Sequence, residues 1–204
     1  MAASFTEETW TGGFYELALE YEHASREILE AALKAMWNFP DLRGCYLRPD
    51  ESPSRQTRVA PDLAALESNG QLYGAARLPG GAEVACGAFL VQEEDDNAWL
   101  GFYVPLGALA KVFNVGAYPF DNDPASQAWR EPLEDWLARI GQAVFTNAPF
   151  SLGLVGFEVS GTTSARQLAL SEVPAKRSIG YLHATAKKLN WYPTNQWQPS
   201  CLAS

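Results

Sequence analysis

Hydrophobic and polar positions alternate strictly over residues 13–22, GFYELALEYE. Tyr15, Leu17, Leu19 and Tyr21 fall on one side of an extended chain, and Glu16, Ala18, Glu20 and Glu22 on the other. A period of two marks a strand with one buried face, so the pattern predicts a strand whose second face is wet and acidic. The period then lengthens. Ile28, Leu29, Ala32, Leu33, Met36 and Trp37 recur at helical spacing. Ser25 suits the N-cap, Glu27 the first turn, and Pro40 ends the helix.

Residues 40–70 hold no such period and are rich in Pro, Arg, Ser and Asp, which predicts a long irregular loop with a short helix near 61–68. Three strands follow, read from QLYGAARL, AEVACGAFLVQEE and NAWLGFYVPL, with PGG and EEDDN as their turns. These connections are too short for parallel pairing. LGALAKVF predicts a short helix. Asp123 and Pro124 read as an N-cap and a first helical position, and Leu133, Trp136, Leu137, Ile140 and Val144 form the stripe of a main helix opened by Pro132. On this reading the preceding PASQAW is a separate turn or a kink. SLGLVGFEVSG, residues 151–161, predicts a strand, and 164–171 a helix. Residues 178–187 fit a strand by composition and a helix by spacing. The tail 189–204 reads as irregular and aromatic. The sum is a single α+β domain over 1–204: a mainly antiparallel sheet of five to six strands packed by two main helices.

Composition narrows the function. The 204-residue chain is 47% hydrophobic and 12% aromatic, with seven tryptophans, and suits an ordered domain with a full core. No apolar run reaches the length of a membrane span, and the first residues lack the basic and apolar regions of a secretory signal. The three cysteines are scattered and the two histidines isolated, which argues against a disulfide framework and a zinc site, and the expected compartment is the cytoplasm. A net charge of −9 disfavours nucleic acid and anionic membranes and favours a basic partner.

Candidate chemistry is sparse. No nucleophile elbow, phosphate loop or dinucleotide fingerprint occurs, and no cofactor or metal is expected. Glu158 interrupts an apolar strand, so it is either a desolvated acid or the point where the strand leaves the core. His183 shares a predicted strand face with Tyr181 and Thr185, and is the possible partner of Glu158 in a hydrolase or transferase. Arg43, Arg48, Arg55 and Arg58 cluster within sixteen residues and offer charge to an anionic ligand, or balance nearby acids. Cys45 lies between two of these arginines and is the more reactive thiol candidate, Cys86 reading as buried. The acidic positions Glu16, Glu20, Glu22, Glu93, Glu94, Asp95 and Asp96 are the candidate partner-binding residues. Trp191, Tyr192 and Trp197 pack back on the domain or form an aromatic contact surface. The favoured reading is a non-catalytic interaction protein that binds a basic partner. An immunity- or adaptor-like bacterial protein has this compositional profile. The alternatives are a small-ligand binder and an enzyme built on Glu158 with His183.

Overall fold

A computed structural model of the chain describes residues 3–93, 97–116, 120, 123–185 and 188–196. Eight strands form one antiparallel sheet: β1 (Phe14–Tyr21), β2 (Leu42–Tyr46), β3 (Gln71–Arg77), β4 (Glu83–Gln92), β5 (Ala98–Pro105), β6 (Leu152–Phe157), β7 (Gly180–Thr185) and β8 (Lys188–Tyr192). Their order across the sheet is β2-β3-β4-β5-β1-β6-β7-β8. Among the described residues five helices accompany them: α1 (Arg26–Trp37), α2 (Leu63–Asn69), α3 (Leu106–Leu109), α4 (Pro124–Asn147) and α5 (Ala165–Ser171). The α+β class holds, with eight strands against the five to six expected and with three short helices beside the two main ones, α1 and α4. Among the described residues no helix is long and apolar enough to cross a membrane.

The hairpin meander β3-β4-β5 stands as its turn signals predict. Two extra strands come from segments read as irregular. Residues 42–46 form the edge strand β2, paired with β3 through a register shift between Gly44 and Tyr46. Residues 188–192 form the opposite edge, paired with β7. Both are short, and each is held by pairing with a single neighbour, β3 or β7. Residues 180–185, left open between helix and strand, are strand β7. The short helix predicted near 61–68 is α2, capped by Asp62.

Helices α1, α2 and α4 cover one face of the sheet and bury the main core, where Leu17, Leu19, Leu33, Met36, Phe102, Trp136 and Ile140 meet. Ser25 caps α1 as expected, accepting from Ile28 N–H. Asp123 caps α4, and that helix runs unbroken from Pro124 to Asn147, with Pro132 inside it. PASQAW is therefore part of this helix and not a separate turn. Pro132 is exposed, so its ring faces water rather than the core.

The second face of the sheet is divided. Over β1, β6 and β7 the returning segment 158–171 buries Ala18, Leu152, Leu154, Val159, Leu168 and Tyr181 in a smaller cluster. Over β3, β4 and β5 lies the N-terminal segment, including a 3-10 turn at Glu7–Trp10. Between these two covers the sheet is open.

Candidate functional site

The open part of the second face is an aromatic cleft. Tyr73 of β3 pairs with Gly87 of β4, which pairs with Tyr103 of β5. In the next row Gln71 pairs with Phe89, which pairs with Gly101. Large and absent side chains therefore alternate across neighbouring strands. The glycines are required by the rings. A Cβ on Gly87 would lie 2.5 Å from the Tyr103 ring, and one on Gly101 would lie 2.3 Å from the Phe89 ring. Each ring thus lies over the adjacent strand and becomes floor instead of standing upright.

Phe14, from the start of β1, joins the floor 5.1 Å from Tyr103 and 5.9 Å from Phe89. Trp10 forms a wall, with its ring centroid 5.0 Å from Tyr73 and 6.5 Å from Tyr103, steeply inclined to both. Its indole N–H donates to Pro49 O at 2.8 Å, and its edge-on contact with Phe5 (5.4 Å) ties the wall to the buried N-terminal segment. Five rings in contact offer the specific edge-to-face geometry that aromatic side chains favour. The cleft encloses about 870 Å³, with Glu7, Asp50 and Gln71 among its polar border residues. The Tyr103 hydroxyl donates to Gln71 Oε1. Burial raises the pKa values of Tyr73 and Tyr103 above the ordinary phenol value, so both hydroxyls stay neutral near pH 7. Volume, lining and a rigid sheet floor match the general form of a ligand-binding pocket.

The sequence-predicted site residues fall elsewhere. Glu16 and Glu20 are not on a wet face: they are 0% and 4% exposed. The reason is topological. β1 is a central strand between β5 and β6, and the 158–171 segment covers its second face. Ser160 donates its N–H and its hydroxyl to Glu16, each at 2.8 Å, and Ala165 N–H donates to Glu20 at 2.6 Å. Burial raises both carboxyl pKa values, and these donors pull them part of the way back. Both side chains fasten the covering segment; Glu16 is fully buried, whereas Glu20, 4% exposed, also borders a surface recess with Glu22 and Glu93. Glu22 and Glu93 are exposed and line one recess of about 630 Å³ with His23, Ser164 and Arg166. Glu93 also accepts from the Trp99 indole at 3.2 Å. Glu94, Asp95 and Asp96 lie outside the described residues.

Strand β6 ends at Phe157, and Glu158 follows it, exposed and with φ of +46°. Its N–H donates to Phe14 O, closing the strand pair. It marks where the chain leaves the sheet. His183 pairs with Leu152 at the other end of β6. Six residues separate Leu152 from Glu158, about 20 Å at the usual rise of ~3.3 Å per residue. The structure does not bring Glu158 and His183 together.

The arginines do not converge either. Arg43 lies 3.6 Å from Glu83 and Arg48 lies 2.7 Å from Glu51. Arg58 donates to Gly44 O from both Nε and Nη2, beside the edge of β2. Arg55 is exposed on a 3-10 turn, Pro53–Arg55. Three of the four are thus engaged within the chain. Cys45 is fully buried, and burial pushes its thiol up to about 12, which reverses the expectation of reactivity.

A buried polar cluster went unnoticed in the sequence. Glu134, 2% exposed on α4, accepts from the Tyr15 hydroxyl at 2.7 Å. Burial pushes its carboxyl up to about 7, against the pull of hydroxyl donors and of the Arg130 charge. The Arg130 guanidinium sits 5.5 Å from the Phe120 ring centre. Among the described residues no group of three His, Cys, Asp or Glu side chains could hold a metal ion. The chain matches no family model, and no significant match appears among curated proteins or solved structures.

Proposed function

We propose that this protein is a non-catalytic interaction module that binds a basic protein partner, with the aromatic cleft as its contact site. The observation that carries the reading is the cleft itself: five rings in a connected set, four on paired strands and Trp10 on the 3-10 turn, with two carboxylates on the border. Aromatic side chains supply large contact area with few rotatable bonds, and they are enriched where binding energy concentrates. The chain's net charge of −9 would speed encounter with a basic partner and disfavour acidic competitors.

The test is affinity capture from the protein's own host cells, with the bound proteins identified by mass spectrometry. The double variant Tyr73→Ala, Phe89→Ala removes two rings that are only partly buried. A basic protein recovered in stoichiometric amount by the wild type, and lost by the double variant at an unchanged melting profile, is the expected result. An acidic partner, or one captured equally by both proteins, would refute the reading.

A further inference from the structure

The cleft has a chemical bias that its aromatic character alone does not convey. Its charged border residues, Glu7 and Asp50, are both acidic. Neither takes part in an ion pair among the described residues, whereas nearby Arg48 is already held by Glu51 and Arg58 by Gly44 O. The hydrogen-bond inventory leans the same way. The Trp10 indole N–H is engaged by Pro49 O and the Tyr103 hydroxyl by Gln71. What remains to a ligand is mostly π faces and carboxylate oxygens, acceptors and negative potential, with the Tyr73 hydroxyl and the Gln71 side-chain amide as donors. Such a site suits a ligand that brings donors and positive charge.

Building on the interaction reading, we propose that the cleft seats an arginine side chain of the partner, its guanidinium against the Trp10–Tyr73–Tyr103 rings and its N–H groups toward Glu7 and Asp50. Arginine fits better than lysine on three counts. Its charge is spread over a plane that lies flat on an aromatic ring, it is less strongly hydrated, and it presents five donors in a fixed fork. The volume, about 870 Å³, exceeds one side chain and leaves room for the flanking residues of an extended segment over Phe14 and Phe89.

The full chain, labelled with nitrogen-15, is titrated with acetyl-Gly-Arg-Gly-amide and with its citrulline counterpart, which keeps the shape and loses the charge. The Trp10 indole N–H signal, assigned through Trp10→Phe, reports the cleft. The Trp191 indole, bonded to Asp135, serves as the distant control. The arginine peptide should shift Trp10 saturably and leave Trp191 in place, and the citrulline peptide should bind about tenfold more weakly or worse. The variant Glu7→Gln, Asp50→Asn alters two border residues and should weaken the arginine peptide by a similar factor. Equal binding of the two peptides, or an unchanged affinity in the double variant, overturns the arginine seat. If the seat fails while a basic partner still requires Tyr73 and Phe89 for capture, the partner reading stands. If the peptide result holds and capture yields no basic partner, the seat stands and the partner reading falls.

Discussion

Gly87 and Gly101 decide the shape of the cleft more than any aromatic residue in it. The missing side chains let Tyr103 and Phe89 lie down across the neighbouring strands. Gly101→Ala places a methyl group where the Phe89 ring now rests, and the half-buried ring must swing into the cleft. The expected cost is about 1 kcal/mol, read by urea unfolding, with a displaced Trp10 indole signal. Full stability together with an unmoved signal would contradict the flat packing. Glycines of this kind are visible in a sequence only as weak points in a strand. Their partners, Tyr103 and Phe89, are sixteen and twelve residues away, and only the register of the β4–β5 pair joins them.

At the level of elements, local rules carried far. Ser25, Asp62 and Ser164 cap their helices as short-range chemistry requires, each accepting from a first-turn N–H. The same holds for the longest helix. Asp123 accepts from Ser126 N–H at 2.6 Å and leads into Pro124. Asp123→Ala should lower stability by about 1 kcal/mol with little change in helix content, measured by urea unfolding followed by circular dichroism. A loss indistinguishable from zero would mean that packing of α4, and not its cap, holds that end in place. Local rules failed at the edges. β2 and β8 lie in segments marked by proline, arginine or scattered aromatics, and their strand state rests on hydrogen bonds to β3 and β7. The separate turn expected ahead of Pro132 is absorbed into α4 for a related reason. The helix is held by its buried stripe of Trp129, Leu133, Trp136, Leu137 and Ile140, so one missing N–H does not end it.

For the molecule as a whole, Glu134 links global stability to pH. Its carboxyl stands at about 7 in the fold against an ordinary 4.5. Below pH 4.5 both the folded and unfolded chains hold this proton. Between 4.5 and about 7 the folded chain keeps a proton that the unfolded chain has released, so stability falls as pH rises. Above that range both have released it and the loss is complete. The shift corresponds to on the order of 3 kcal/mol. Glu134→Gln keeps a neutral acceptor for the Tyr15 hydroxyl and should remove most of that fall. Urea unfolding at about pH 5 and about pH 8 measures it, and the variant should exceed the wild type at the higher pH. Glu16 and Glu20, also raised by burial, add a slope of the same sign in both proteins. An identical pH profile in wild type and variant would mean that Glu134 is not desolvated as the fold implies.

The sequence by itself determined the class of fold, the β3–β4–β5 meander, the first strand and helix, and the helix caps. Each of these rests on contacts within a few residues or on a single amphipathic period. It also pointed at carboxylates, because an acid within an apolar pattern is conspicuous. Only the tertiary structure decided what those carboxylates do. Alternation distinguishes two faces of a strand but does not say whether the polar face meets water, and the central place of β1 buried Glu16 and Glu20. The cleft was hidden for the complementary reason. Trp10, Phe14, Tyr73, Phe89 and Tyr103 are spread over ninety-four residues on four strands and a 3-10 turn, and no local pattern links them. Strand order and register make them neighbours, and the gap between two covering segments leaves them open to a ligand.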